Sequence, residues 1–443
     1  MSPTIITSGS ERSSTSLWAV LAVVVWIAAI ALGVWYFWDR DGASAASAET
    51  SVTVAATSPA GGPQPGQETS SPSSTTSDET TTTTVPATTT TQSATTTTQS
   101  TTTTTVRRVL TVAASGDVLG DRGVGLFIDK KGAEPLLANV RSIFEQSSIA
   151  FLNLEGPISD KGSRATWKEY TFEARTELAD ALALGGIDVV SLANNHAMDY
   201  GSKALLDTFP RLSAVGVHWA GAGADAAAAS APALLITPAG MVAVLAFTDI
   251  IPGGFAAGSS SPGVNTTTPD RKAMIAAVKK AAKKAKFVIC SFHWGEEYKG
   301  RPNSTQRELA HAVIDAGADL VLGHHPHVLQ GFEVYKDRLI AYSLGDFVWD
   351  HYSQETGETV IVQVEIPGKG GPSFVLTPIY LDDVTGVPSP VTGDHAASIL
   401  KRVAGYSADL GVQLTIKDDR AYYQPQSADS TAAAPAEAAA TPE

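Results

Sequence analysis

The chain contains a single cysteine, Cys290, among its 443 residues, so no disulfide can form within it. Cys290 lies in the apolar run FVIC, where a small buried core residue is the expected interpretation. Positive charge is also scarce: the chain has 31 Lys and Arg but 45 Asp and Glu, which gives a formal net charge of −14. This balance argues against a general affinity for nucleic acid, whose phosphates require Lys and Arg.

Three common catalytic motifs are missing from the sequence. It has no Gly-x-Ser-x-Gly elbow, no Walker A loop and no Cys-x-x-Cys pair, which argues against the nucleophilic, nucleotide-binding and redox chemistries that those motifs serve. The small-residue segment GAGADAAAAS (221–230) lacks the dinucleotide-binding pattern and is predicted to be a loop.

A long hydrophobic run near the start predicts a membrane anchor. Residues 17–38 contain no charged side chain over 22 positions, and about 20 apolar residues are needed to span a bilayer. Trp35, Tyr36 and Trp38 at its end are typical of the membrane interface. The alternative is a cleaved signal peptide, since GASAASA follows with small residues. The length of the run favours the uncleaved anchor, with residues 1–16 as a short cytoplasmic segment.

A low-complexity tract follows the anchor. Residues 39–105 are rich in Thr, Ser and Pro and have too little apolar surface to offset the entropy of ordering, so a disordered stalk is predicted. The tail 425–443 has the same character. We therefore expect a single-pass membrane protein whose folded domain, 106–424, is held on the extracytoplasmic side.

Within 106–424, apolar runs alternate with helix-like segments, which predicts an α/β fold with layered packing. Helices are expected over 270–286 and 304–319. The runs that predict buried strands are VLTVAA, IAFLNL, DVVSLA, MVAVLAF, KFVICSF, DLVLG and LIAYSL. Two later runs, ETVIVQVEI and SFVLTPIYL, are expected to pair antiparallel at a sheet edge.

Each of six apolar runs carries or is followed by carboxylate, amide or imidazole side chains. In open α/β sheets ligands bind beyond the carboxyl ends of the strands, so these side chains are predicted to meet in one crevice. They are Asp117; Asn153 and Glu155; Asn194, Asn195 and His196; His293; His324, His325 and His327; and Asp346.

This mixture of ligand types is the one that a borderline divalent metal such as Zn, Mn or Fe accepts, and one or two ions are expected. If the segment after DLVLG is extended, His325 and His327 point to the same side and can face the metal. His324 would then point away, as a second-shell group or substrate contact. Taken alone, each residue has a simpler explanation: Asp117 could cap a turn, and His293 could be a satisfied core histidine.

The ordered motifs GDVLGDRG, NLEGPIS, LANNHAMDYG, FHWGEEY, GADLVLGHHPHVLQG and YSLGDF resemble those of the poly-γ-glutamate capsule-synthesis (CapA-like) family, within the calcineurin-like metallophosphoesterases. The resemblance covers roughly residues 108–420. It implies a four-layer α/β/β/α fold in which two sheets pack face to face between helices.

The resemblance also implies residue roles. His196 would be the general acid or transition-state histidine. The metal ligands would be Glu155, Asn195, His293 and His325 for one ion, and Asp117, Glu155 and His327 for the other. Second-shell or substrate-contacting residues would be Asn153, Asn194, His324, Glu297 and Asp346. Two features depart from the superfamily pattern. Leu119 stands where an Asp-x-His motif has its histidine, and Asp346 stands where the family usually has Asn.

Two classes of function fit these observations. One is a metal-dependent hydrolase or transferase acting on a phosphoester or an anionic cell-surface polymer. The other is a non-catalytic component that binds such a polymer or a membrane-bound polymer synthase. Four basic residues follow the motifs and could meet an anionic substrate, although ordinary surface charge is the favoured interpretation. They are Arg122, Arg164, Lys168 and Lys299.

Overall fold

The structure is a computed structural model that describes residues 109–268 and 270–425. The predicted anchor, the stalk and the tail beyond residue 425 lie outside these residues. No helix within the described ranges is long and apolar enough to cross a bilayer. The first strand begins at Leu110 and the last ends at Tyr423.

The strands of this region, numbered in chain order, are β1 (Leu110–Val118), β2 (Ile149–Leu154), β3 (Val189–Ser191), β4 (His218–Ala220), β5 (Ala222–Gly223), β6 (Ala233–Thr237), β7 (Gly240–Thr248), β8 (Gly263–Val264), β9 (Phe287–His293), β10 (Leu320–His324), β11 (Phe332–Tyr335), β12 (Arg338–Ala341), β13 (Asp346–Val348), β14 (Glu358–Ile366), β15 (Ser373–Leu381), β16 (Pro388–Pro390), β17 (Thr415–Lys417) and β18 (Arg420–Tyr423). The helices are α1 (Arg122–Lys131), α2 (Arg141–Phe144), α3 (Leu178–Leu184), α4 (Gly201–Ala214), α5 (Ala226–Ala229), α6 (Arg271–Ala282), α7 (Ser304–Ala316), α8 (Gln354–Gly357) and α9 (Gly393–Ala408), with one 3₁₀ turn at Glu134–Leu136.

Ten strands form the larger sheet. Their order is β17-β18-β15-β14-β1-β2-β3-β4, with β13 also pairing with β1 and β16 with β15. Strands β1 to β4 run parallel, so their carboxyl ends lie at one edge. The antiparallel pairing of β14 with β15, predicted from their alternating sequences, is confirmed. Their expected place at a sheet edge is wrong, because β14 also pairs with β1 and β15 with β18.

Six strands form the smaller sheet, in the order β11-β12-β10-β9-β7-β6. Its central strands β7, β9, β10 and β12 are parallel, and this arrangement again collects their carboxyl ends at one edge. A separate two-stranded sheet joins β5 and β8.

The two sheets share a buried apolar core. Val112 and Phe151 of the larger sheet belong to the same cluster as Ile289 and Leu322 of the smaller sheet. Alternate residues point to the opposite faces, where they pack against helices: Ala113 joins a cluster with α1 and α4, and Cys290 and its neighbours join one with α6 and α7. The layers are therefore helices, sheet, sheet and helices.

Some local predictions require correction. The segment 221–230 is not simply a loop, because it contains β5 and the single turn α5. The helix expected over 270–286 ends at Ala282, and the strand predicted from DVVSLA ends at Ser191. Cys290 is fully buried, as expected of a core residue, and burial raises the pKa of its thiol.

Candidate metal centre

Asp117 owes its position to an irregularity in β1. The pairing of β1 with β2 shifts register between Ala114 and Asp117, as at a β-bulge, which redirects the side chains that follow it. Gly116 lies inside this irregularity, and a Cβ there would be 1.8 Å from the carbonyl oxygen of Gly345. Only glycine fits so close an approach, and Asp117 is set beside Asn153 at the carboxyl end of the strand.

Asp117 connects the two sheets. Its Oδ1 accepts a hydrogen bond from Nδ2 of Asn153 at 2.9 Å and lies 3.3 Å from Nδ1 of His324. Its Oδ2 accepts the backbone N–H of His325 at 3.1 Å. Burial alone would raise the pKa of this carboxyl, but the contacts with His324 and His327 outweigh burial and lower the pKa. Asp117 is therefore held as a carboxylate.

His293, the last residue of β9, faces groups from the larger sheet. Its Nε2 lies 2.8 Å from the amide oxygen of Asn195 and 3.5 Å from Oε1 of Glu155. Burial, together with the neighbouring His325, holds the pKa of His293 well below its usual value. Burial and the charge of Asp117 hold the pKa of Glu155 well above its usual value. A neutral imidazole thus lies beside a buried carboxyl whose burial favours the protonated form.

His325 and His327 are not on an extended segment, so the alternation argument for their orientation is wrong. β10 ends at His324, and His325 and His327 have positive φ angles of 95° and 56°. Such angles are strained for residues other than glycine, and strain of this kind is concentrated at functional sites. The bend nevertheless brings the two rings together, with centroids 5.9 Å apart, and places His325 4.7 Å from the ring of His293.

His327 lies among three carboxyl groups. Its Nδ1 is 2.8 Å from Oδ1 of Asp346 and 3.8 Å from Oδ2 of Asp117. Burial would lower the pKa of His327, but Asp346, Glu155 and Asp117 raise it to about 10. His325 is in the opposite situation, since burial and the charge of His327 lower its pKa to about 3.

The donors in this cluster fit a divalent metal. Four buried atoms of the cluster have no hydrogen-bond partner, which is costly unless something else binds them: Oε1 of Glu155, Nδ1 of His325 and both ring nitrogens of His324. His324, expected to point away, thus lies against Asp117 inside the cluster. Imidazole, carboxylate and amide oxygen are ligands of Zn, Mn and Fe. Three sets of side chains have one ligand atom each within 4.8 Å of one another: Glu155, His325 and His327; Asp117, Glu155 and His293; and Asp117, His327 and Asp346.

His196 is held beside this cluster by residues outside the predicted set. Its Nδ1 lies 2.5 Å from Oδ2 of Asp199, and its Nε2 lies 4.0 Å from Oε1 of Glu155. Lys168 bonds both Asp199 and the carbonyl oxygen of Asn195. Burial lowers the pKa of His196, although Asp199 opposes the shift, so at neutral pH the imidazole is mainly neutral.

Asp199 was not among the predicted site residues. The signal that could have identified it is the spacing in HAMD, where an acid three residues after a histidine can reach its ring. Asn194 supports the same turn: its Nδ2 donates to the carbonyl oxygen of Leu154 at 2.8 Å, and its side-chain oxygen accepts the backbone N–H of His196.

The other predicted contacts differ in whether they reach the cluster. Glu297 is exposed, and no hydrogen bond or ion pair in the described part of the chain joins it to the buried residues. Arg122 pairs with Asp350. Lys168 is only 12% exposed at its side chain and is bound to Asp199, so it is not ordinary surface charge. Arg164 and Lys299 are exposed, as surface charge would be.

Known proteins resemble this chain over the region that builds the cluster. The sequence profile of a family described as bacterial capsule synthesis protein matches residues 111–351. The PGA biosynthesis protein CapA of Bacillus subtilis is 36% identical over 288 residues, 65% of this chain and 75% of that protein. The capsule biosynthesis protein CapA of Bacillus anthracis is 32% identical over 316 residues, 70% of this chain and 76% of that protein.

A solved structure has a weaker likeness. The crystal structure of a novel phosphatase from Mycoplasma pneumoniae shares 14% sequence identity and covers 64% of this chain and 91% of its own, with a TM-score of 0.36. A likeness at this level carries no argument about activity.

Proposed function

Because the chain belongs to the bacterial capsule synthesis protein family, we propose that it acts in the biosynthesis, anchoring or export of a capsule-like surface polymer through a divalent-metal centre of the phosphoesterase type. Its substrate would be a phosphoester or an anionic polymer of the poly-γ-glutamate kind, and a membrane-bound polymer synthase would be its partner.

The observation that carries this proposal is the convergence of buried ligand groups from both sheets. Asp117 and Glu155 come from the larger sheet and His293 from the smaller one, yet one ligand atom of each lies within 4.8 Å of the others. Burying ionisable groups without partners is expensive, and proteins do so mainly where the groups bind a cation or one another.

The chemistry of the site supports hydrolysis or group transfer. A bound divalent cation supplies Lewis acidity and lowers the pKa of a water ligand. His196 would exchange a proton with the reacting group at Nε2, since its Nδ1 faces Asp199. Asp199 thereby fixes the tautomer and the orientation of the ring.

The location of the domain is part of the same proposal. Residues 17–38 would anchor the chain in the cell membrane, and residues 39–105 would hold the domain beyond the membrane on the extracytoplasmic side. A protein acting on a surface polymer would there reach its substrate and a membrane-bound synthase together.

Elemental analysis of the purified full-length chain tests the proposal. We expect one to two equivalents of Mn, Fe or Zn, and loss of the tighter-bound ion in His293→Ala. His218→Ala is the matched control, because His218 is an exposed residue of β4. Hydrolysis of bis-p-nitrophenyl phosphate should require the metal and His196.

The outcomes separate the two classes of function. Metal without hydrolysis would favour the non-catalytic polymer-binding component. A wild-type chain that binds no divalent cation under saturating conditions would overturn the metal centre altogether.

A further inference from the structure

The structure assigns to Asp346 the role of a metal ligand: we propose that Asp117, His327 and Asp346 form a second cation site in which Asp346 replaces the histidine that this chain lacks. This inference rests on the proposed metal centre and extends it to a ligand set that differs from the one implied by the resemblance, which used Glu155 with Asp117 and His327.

The geometry of β13 delivers Asp346 to this position. β13 runs parallel to β1, and Asp346 is the direct register partner of Asp117. Both carboxyl groups therefore lie at the same level at the carboxyl edge of the larger sheet. Asp346 is 2% exposed and Asp117 is fully buried, so solvent does not screen either group.

His327 faces the gap between these two carboxyl groups. Its Nδ1 lies 2.8 Å from Oδ1 of Asp346 and 3.8 Å from Oδ2 of Asp117. One ligand atom of each of these three residues lies within 4.8 Å of the others, close enough for one ion to bind all three.

Buried atoms without hydrogen-bond partners beside this set are a second observation that favours a bound cation. Oε1 of Glu155 and Nδ1 of His325 are buried next to this set without hydrogen-bond partners. Residue 119, where an Asp-x-His motif has its histidine, supplies no metal ligand, because Leu119 is fully buried in the apolar core.

The two ligand sets differ in chemistry. Asp117, His327 and Asp346 supply two carboxylates and one imidazole, a combination that suits Mn²⁺. The other set, Glu155, Asn195, His293 and His325, contains two imidazoles and suits Zn or Fe. We therefore expect two unlike sites, of which the second accepts Mn²⁺ through Asp346.

The test is calorimetric titration of the metal-free full-length chain with Mn²⁺ after one equivalent of Zn²⁺ has been added. Wild type should bind one Mn²⁺, and Asp346→Asn should weaken this binding at least about tenfold, as loss of a ligand or its supporting group does. Loss of an outer-shell partner can weaken metal binding as much, so the carboxyl-carbon measurement described below separates a ligand from an orienting residue.

The matched control is Asp319→Asn, which removes the same charge from the residue just before β10, at the opposite end of that strand. It should bind Mn²⁺ as wild type does. Retention of the first Zn²⁺ equivalent shows that Asp346→Asn is folded. Mn²⁺ affinity in Asp346→Asn within about twofold of wild type would overturn the role of Asp346, because the loss of even an outer-shell partner costs about tenfold or more.

A measurement on wild type alone avoids any effect of a folding defect in a variant. Electron–nuclear double resonance of Mn²⁺ in wild type labelled with ¹³C at the aspartate carboxyl should show two coupled carboxyl carbons, from Asp117 and Asp346. One coupled carbon would contradict the inference and leave the proposed function standing. Failure of wild type to bind either Zn²⁺ or Mn²⁺ would instead remove the proposed function itself.

Discussion

Nε2 of His293 lies 2.8 Å from the amide oxygen of Asn195, although His293 ends a strand of the smaller sheet and Asn195 follows a strand of the larger one. The carboxylate and amide groups of the cluster come from the larger sheet, and its three candidate histidine ligands come from the smaller one. Neither sheet can therefore form the ligand set alone, and a cation bound here would cross-link the two sheets.

Removal of metal should destabilise the domain because of this cross-link. A ligand present at about 1,000 times its dissociation constant stabilises the folded state by about 4 kcal/mol. We expect a strong chelator to lower the melting temperature of the wild-type chain by several degrees, and re-addition of Mn²⁺ or Zn²⁺ to restore it. Differential scanning calorimetry measures both.

The control for this experiment is the pair His293→Ala and His218→Ala. His293→Ala should have lost most of its response to the chelator, while His218→Ala should respond like wild type. A melting temperature of wild type that is insensitive to chelator and to added metal would contradict the prediction.

The three clustered histidines should differ in their effect on metal content. His325→Ala should remove the tighter ion, because His325 belongs to the set with Glu155 and His293. His327→Ala should spare that ion and remove the weaker one. His324→Ala should leave the metal content nearly unchanged, since His324 belongs to none of the three candidate ligand sets among the described residues. Elemental analysis of the three variants at equal protein concentration shows which histidines each ion needs. Loss of the tighter ion in His324→Ala alone would reverse the assignment.

Much of the site was predictable because strand ends carry their polar residues to one edge. β1, β2, β9 and β10 were readable as apolar runs, and the side chains at their carboxyl ends do come together in the structure. Because the carboxyl ends of parallel strands meet at one edge, the position of the site can be predicted without the conformations of the loops. The metal-binding roles of these side chains stay predictions.

The orientation of side chains beyond the strand ends could not be predicted in the same way. The positive φ angles of His325 and His327 depend on packing against the other sheet and leave no periodic signal. Asp346 was expected in the same crevice, but its position as the direct register partner of Asp117 follows from the pairing of β13 with β1, a contact between residues more than 200 positions apart. Local spacing carries no information about such a pair.

Asp199→Asn should impair any hydrolytic activity without loss of metal. Asp199 contacts Nδ1 of His196 and lies outside the candidate ligand sets, so its replacement disturbs the tautomer and orientation of the ring and weakens the ion pair with Lys168. General acid–base catalysis contributes about 10²- to 10⁴-fold, and we expect kcat to fall by about tenfold or more with bis-p-nitrophenyl phosphate. Asp207→Asn, which alters another buried carboxyl bonded to a lysine, is the control. Unchanged kcat in Asp199→Asn with metal content preserved would show that His196 needs no such partner.

The segment order predicts which part of the chain a protease can reach. Protease added to intact, wall-stripped cells should cut within 39–105 and release the domain, while residues 1–16 stay protected behind the membrane.

The stalk should add no cooperative stability, so a chain of residues 107–424 should melt at the same temperature as the full-length protein. Immunoblotting against both ends measures the first outcome and calorimetry the second. Complete protection of the domain would reverse the topology, and a melting temperature lowered by several degrees would make the stalk part of the fold.

The metal-free protein should lose stability as the pH rises from 7 to 10, and His327 should account for that loss. Burial would lower the pKa of His327, but Asp346, Glu155 and Asp117 raise it to about 10 in the folded state, against about 6.5 in an unfolded chain. A group whose pKa is raised on folding binds more protons in the folded state, so its stabilisation is complete below the unfolded pKa and disappears as the pH passes the folded pKa. The free energy of unfolding should therefore fall by up to about 1.4 kcal/mol per pH unit relative to His327→Gln. Guanidinium unfolding with chelator at pH 7, 8, 9 and 10 measures this difference, with His218→Gln as the control that keeps the wild-type slope. Equal slopes for wild type and His327→Gln would mean that no proton is held between Asp117 and Asp346.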